Sequence, residues 1–306
     1  MLFTFHRLRL HFVALDPVLF PEGKPGNILR GAFGLLFRKV ACVPQCESAA
    51  ACPLEEECPY SRVFEPRPDR VPSGLADAPR PFVFRASHLD SRTIGRQGAF
   101  HFDVNFFESS PSSMPYFVLA FQRLAADGLG PRRGKAQLIR AELLDANGET
   151  KGILFDGTRL HEVSHPVEID LAEPAAATTV TVRYLTPTEL KAGKGLIERP
   201  EFGTLMARIR DRISTLRALY GRGPLDLDFR RFAEDAAKVQ MTHCEIRHVD
   251  IERTSRRTGQ THPLGGFLGW ARYEGNLGQF LPYLRAAHFT GVGRQTVWGK
   301  GEIAIS

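Results

Sequence analysis

Gly291-Val292-Gly293-Arg294-Gln295-Thr296-Val297-Trp298-Gly299-Lys300-Gly301 is the stretch on which the reading of the fold turns. Glycine takes positive φ without steric cost, so a run this rich in it lets the backbone approach another chain closely. The run follows a segment, Leu277 to Ala287, that reads as helix, and it precedes Glu302 to Ile305, which reads as a short strand. A dinucleotide-binding fingerprint has the reverse order, following a strand and opening a helix. The cations Arg294 and Lys300, together with the loop amides, suit a phosphate track. A plain glycine-rich turn before an edge strand is the alternative.

Working outward, Val180, Val182 and Tyr184 alternate as in a half-buried strand. Phe202, Leu205, Met206, Ile209, Ile213, Leu216 and Leu219 trace the apolar stripe of a long helix. A shorter helix spans Phe229 to Val239. Gln240 to Arg253 and Gly265 to Tyr273 read as arms of a hairpin whose tip carries Arg253, Arg256 and Arg257. The first half has the same rhythm. Leu8, Leu10, Phe12 and Ala14 alternate with Arg7, Arg9 and His11 on the opposite face. A helix with Asn27 as its cap carries Leu29, Phe33, Leu36 and Val40. Phe100, Phe102, Val104 and Phe106 alternate again, Tyr116 to Ala126 reads as helix, and Gln137 to Leu144 reads as strand, turning at Asn147-Gly148.

The order β-α-β-β-α-β is that of a ferredoxin-like domain, the scaffold of RNA-recognition modules. The second half repeats it with one helix added, beyond a low-signal stretch from His165 to Thr178. The expected fold is therefore α+β: two tandem ferredoxin-like (RRM-like) domains, 1–170 and 178–306. The first carries a Cys-rich insertion after its first helix, at 42–58, and the second carries the glycine-rich loop at 291–301.

Composition fits a globular protein, with 43% hydrophobic and 24% charged residues among 306. No apolar run approaches the roughly 20 residues that span a bilayer. The start, MLFTFHRLRLHF, reads as a strand rather than a signal peptide, which makes the cytoplasm the expected compartment. A net charge of +6 favours a polyanionic partner weakly; how the cations are distributed matters more.

Cys42, Cys46, Cys52 and Cys58 hold four of the five cysteines within 17 residues. Four thiolates can enclose a tetrahedral zinc ion and so fix a loop with little core of its own. Free thiols are the alternative, since no pair has the tight C-x-x-C spacing. A Cys₄ site leaves no open position, so any zinc here is structural.

Helix, then G-x-G-x(5)-G-x-G, then a terminal strand resembles the glycine-rich loop of the RAMP superfamily of CRISPR-associated proteins. Pro25-Gly26-Asn27-Ile28-Leu29-Arg30-Gly31-Ala32-Phe33-Gly34 is similar to the first-helix segment of that superfamily. Thr186-Pro187, then Pro200-Glu201-Phe202 with Arg212-Ile213-Ser214, resembles the C-terminal half of its repeat-processing endoribonucleases. The resemblance implies binding of CRISPR repeat RNA in precursor crRNA. It also implies metal-independent cleavage to 2′,3′-cyclic phosphate and 5′-hydroxyl ends, and contact with effector-complex subunits. A non-catalytic RAMP subunit that holds guide RNA is the alternative.

The histidine that relatives often carry just beyond the first helix is missing; none occurs between Val40 and His88. Candidate catalytic groups are the cations Arg30, Arg38 and Lys39 and the proton-transfer residues Tyr60 and His88, with His101 less favoured, in a cleft between the first helix and the glycine-rich loop. The candidate RNA-binding set is Gly291, Gly293, Arg294, Gly299, Lys300 and Gly301, with Arg253, Arg256 and Arg257. No cofactor is expected in catalysis.

Overall fold

The alternation at the N-terminus is realised as β1 (Leu2–Ala14), whose even residues Leu8, Leu10 and Phe12 are buried. The computed structural model describes every residue except 43–45, 47–51, 53, 55–56, 67–77, 108–110, 194 and 255–260. The chain divides into two compact units. One holds Thr4–Val167 with Leu219–Gly221; the other holds Met1–Phe3, Glu168–Ala218 and Arg222–Ser306.

After β1 the first unit continues with β2 (Val18–Phe20), α1 (Pro25–Ala41), α2 (Pro59–Phe64), β3 (Phe82–Arg85), β4 (Arg92–Ile94), β5 (Ala99–Phe106), α3 (Met114–Asp127), β6 (Ala136–Leu144) and β7 (Thr150–Phe155). Its antiparallel sheet runs β3-β5-β1-β6-β7. With α1 and α3 as the crossovers, the first four strands have the ferredoxin-like order, and β7 extends the edge. Phe33 of α1 is the centre of the core: its ring meets those of Phe37, Phe64, Phe82, Phe84, Phe117 and Phe121 at centroid distances from 4.5 to 5.9 Å. Phe102 of β5 meets Phe121 at 5.0 Å, so the even residues of β5 face the helices and the odd residues face away.

One strand escapes the sequence reading, and one helix start is corrected. The strand that completes the β-α-β-β-α-β order, β3, has all four residues buried and so shows no polar–apolar alternation to read. Helix α1 begins at Pro25 after Lys24, not at Asn27: proline suits the first helical position, where its missing N–H costs nothing.

The remaining elements are β8 (Val167–Asp170), β9 (Thr179–Thr188), β10 (Lys191–Ala192), β11 (Gly195–Leu196), α4 (Phe202–Tyr220), α5 (Phe229–Ala236), β12 (Gln240–Val249), β13 (Glu252–Thr254), β14 (Thr261–Pro263), β15 (Gly266–Glu274), α6 (Leu281–Thr290) and β16 (Ile303–Ile305). The second sheet runs β12-β15-β9-β16, the same ferredoxin-like order, with α4 and α6 as crossovers and α5 as the added helix. The stripe on α4 is buried from Phe202 to Leu216 as the spacing predicts. Inside this unit Tyr184 Oη donates to Tyr273 Oη (3.1 Å), which donates to Pro200 O (2.6 Å), so both buried hydroxyls are satisfied. Asp228 caps α5 by accepting from the amides of Arg230 and Arg231. No described helix is long and apolar enough to cross a membrane.

Candidate functional site

The glycine-rich loop is held by the backbone conformations its sequence allows. Gly291, Gly293, Gly299 and Gly301 all take positive φ, between 67° and 82°. At two of them a side chain would also collide. A Cβ on Gly293 would meet Glu189 O, and one on Gly301 would meet Val292 O. Those approaches make hydrogen bonds: Val292 N donates to Gly301 O (2.9 Å), Arg294 N to Glu189 O (3.0 Å) and Gly301 N to Pro187 O (3.1 Å). The loop is thereby fastened to the end of β9 and the residues after it.

Its two cations differ. Arg294 is half exposed and pairs with the Glu189 carboxylate at 2.5 Å. Lys300, expected on a phosphate track, is instead 3% exposed, and its ammonium donates to Gly265 O (2.5 Å) and Gln295 Oε1 (3.1 Å). Burial pushes that ammonium down to about 8, against the pull of Glu189 and with the push of Arg294. Lys300 therefore ties the loop to the foot of β15. Arg253 lies in β13 opposite His262, whereas Arg256 and Arg257 lie outside the described residues.

The catalytic candidates fall into two groups. On the helix side of the first sheet, the Arg38 guanidinium lies 5.8 Å from the Tyr60 ring centre, and Tyr60 stacks on Phe64. Arg30 approaches the Phe64 ring at 5.7 Å, and Lys39 is exposed near the end of α1. Tyr60 Oη donates to Glu65 Oε1 (3.1 Å). Burial, with the Glu65 carboxylate, pushes the phenol up to about 12, so it stays protonated at neutral pH.

On the opposite side of that sheet, His88 stacks on His101 with ring centres 4.6 Å apart, and its Nε2 donates to His101 O (2.9 Å). His11, across from His101 in the β1–β5 ladder, meets Glu142 Oε1 through Nε2 at 2.7 Å. Burial, then the Arg9 charge and His88, push the His101 imidazole down to about 4. Asp103 beside it accepts from Arg9 and Arg7 at 2.7 and 2.8 Å, and these bonds hold its carboxyl below the usual range although burial opposes its charge. Tyr60 and His88 are thus on different sides of one sheet. The His11–Glu142 pair was missed; its signal was the histidine on the polar face of β1.

Of the segment expected to hold zinc, Cys42, Cys46, Cys52 and Cys58 themselves lie among the described residues. Among the described residues no three of His, Cys, Asp or Glu are grouped to hold a metal ion. Cys42, at the end of α1, has Cys46 and Cys58 as thiol neighbours. Burial and those neighbours push its thiol up to about 12. Arg38 donates to Cys46 O (3.0 Å), which fastens the segment to α1. The spacing offers no C-x-x-C turn to present two thiolates together.

Comparison with known proteins finds one family model for each part of the chain. A family model described as an N-terminal domain matches residues 3–166. The model for the CRISPR-associated endoribonuclease Cas6 matches residues 182–303, from β9 through the glycine-rich loop to β16. The chain's C-terminal part is a Cas6 domain. The chain's fold is similar to that of Thermus thermophilus Cas6, with 16% identity, a TM-score of 0.55 and coverage of 100% of this chain and 99% of that one. A Cas6 product complex aligns with a TM-score of 0.56 at 16% identity, covering 99% of this chain and all of that one. A chain of a partial Cas6-RT-Cas1–Cas2 complex aligns at 10% identity with a TM-score of 0.55, covering 99% of this chain and 46% of that one. No curated protein matches the chain in sequence.

Proposed function

We propose that this chain cuts CRISPR repeat RNA in precursor transcripts, with the ribose 2′-hydroxyl beside the scissile bond as the nucleophile. A base removes the 2′-hydroxyl proton, O2′ attacks the adjacent phosphorus, and the P–O5′ bond breaks as an acid protonates the leaving oxygen. The products are a 2′,3′-cyclic phosphate and a 5′-hydroxyl. The nucleophile belongs to the substrate and protein cations can balance the phosphorane charge, so the mechanism calls for no metal. The observation that carries this reading is the Cas6 endoribonuclease domain at 182–303, which contains the positive-φ glycine loop.

In this reading the loop and Arg294 hold RNA phosphates, Lys300 keeps the loop in shape, and Arg30, Arg38 and Lys39 supply further cations. Arg253, Arg256 and Arg257 add further contacts. Proton transfer is assigned to His88 and to His101, whose imidazole burial keeps neutral and so able to accept a proton, while the Tyr60 phenol holds its own. Tyr60 packs against RNA. The test is incubation of purified protein with end-labelled repeat RNA in EDTA, followed by end-group analysis. Cyclic-phosphate products support the reading, and tight binding without cleavage replaces it with that of a guide-RNA-holding subunit.

A further inference from the structure

The second sheet has one face turned to its helices and one turned away. On β9 and β15 the inward residues Val182, Tyr184, Ala271 and Tyr273 are buried. Their neighbours point outward. Trp270 sits on the central strand β15, with Arg183 of β9 directly opposite on one side and Glu245 of β12 on the other. Two residues along are Arg272, opposite His243, and Leu268, opposite Arg247. Leu185 completes the row on β9 and is 44% exposed. Ala304 of β16, opposite Arg183, leaves that corner low.

The Trp270 ring is fixed in place. It stacks on His243 with centres 4.6 Å apart and planes 11° apart. Its Nε1 donates to Glu245 Oε2 (3.2 Å), and His243 Nε2 meets the other oxygen of that carboxylate at 2.9 Å. One carboxylate therefore braces both rings into a flat ledge. A tryptophan pinned on an open sheet face beside exposed Arg183, Arg247 and Arg272 is a poor arrangement for water alone and a good one for a ligand with flat apolar faces and regular negative charge.

We propose that this face, with Trp270 and His243 as the stacking ledge and Arg183 and Arg247 as phosphate contacts, binds an unpaired segment of RNA. Single-stranded RNA presents unstacked bases on a phosphate chain, and aromatic rings with arginines on a ferredoxin-like sheet match both parts. Base-paired RNA hides its base faces, so the site selects single strands. The inference rests on the repeat-RNA reading and adds a second place of contact, separate in sequence from the glycine-rich loop.

The chain has two tryptophans, Trp270 and Trp298, so Trp298→Phe leaves one reporter on the ledge. In that background, titration with a single-stranded repeat fragment quenches Trp270 fluorescence, and the same fragment annealed to its complement quenches it far less. Trp270→Ala weakens fragment binding about 5- to 150-fold, the range for loss of one base–aromatic stack, and Trp270→Phe restores most of it. Folding of each variant is checked by circular dichroism. Unaltered affinity in folded Trp270→Ala, or equal quenching by the duplex, overturns the proposal. Wild-type protein that binds no repeat RNA at all overturns the repeat-RNA reading as well, which separates the two failures.

Discussion

Gly301→Ala tests the loop by perturbing one atom. Residue 301 has φ +67°, and a non-glycine residue in that left-handed region costs roughly 1–2 kcal/mol. The added Cβ also collides with Val292 O, on the residue whose N–H donates to Gly301 O. Relieving the collision sacrifices that bond, worth about 0.5–1.5 kcal/mol. The expected loss is therefore about 1.5–3.5 kcal/mol from the unit that carries the loop. Gly31→Ala is the control: residue 31 is an exposed α1 position with no atom within 4 Å of the new Cβ, and alanine there is neutral or stabilising by up to about 1 kcal/mol. Equilibrium urea unfolding, followed by circular dichroism of the whole chain, reads both. A Gly301→Ala protein within about 0.5 kcal/mol of wild type, a size ordinary for an innocuous surface change, refutes the argument that the glycines are there for their backbone.

Other perturbations have defined outcomes. Phe33→Ala empties the centre of the aromatic core and should cost about 3–5 kcal/mol in urea unfolding. Arg294→Ala should weaken repeat-RNA binding and flatten its salt dependence by about one phosphate contact, whereas Lys300→Met should reduce stability first, because its ammonium is buried against Gly265 O. Burial, with His165 nearby, pushes His6 down to about 4, and His101 is held equally low. The unfolded chain therefore binds more protons on acidification, so stability should fall as pH drops from about 6.5 toward 4; His6→Phe in thermal melts should flatten part of that slope. His88→Ala and His101→Ala should slow single-turnover cleavage by roughly 10²–10⁴, and Tyr60→Phe should leave it nearly unchanged.

The architecture was legible because the two sheets are built from strands with one buried face. β1, β5 and β9 announce themselves by alternation, and α4 by its 3.6-residue stripe. β3 was hidden because a strand buried on both faces has no polar phase. The glycine loop was legible because positive φ demands a particular residue, and all four of its glycines adopt it. The roles of its cations were not, since nothing local tells that Lys300 turns inward while Arg294 finds Glu189, 105 positions away. The same limit applies to the histidines: pairing of His11 with Glu142 and stacking of His88 on His101 depend on strand register, which one sequence does not print.

In the proposed mechanism the nucleophile is the RNA's own 2′-hydroxyl. That assignment is tested most directly by replacing that single hydroxyl with hydrogen at the scissile nucleotide of a repeat RNA and measuring binding and cleavage in EDTA. The expected result is unchanged affinity and no detectable cutting, beside full cutting of the unmodified repeat to a cyclic phosphate. Cleavage of the deoxy-substituted RNA, or a 3′-hydroxyl on the product, would contradict it.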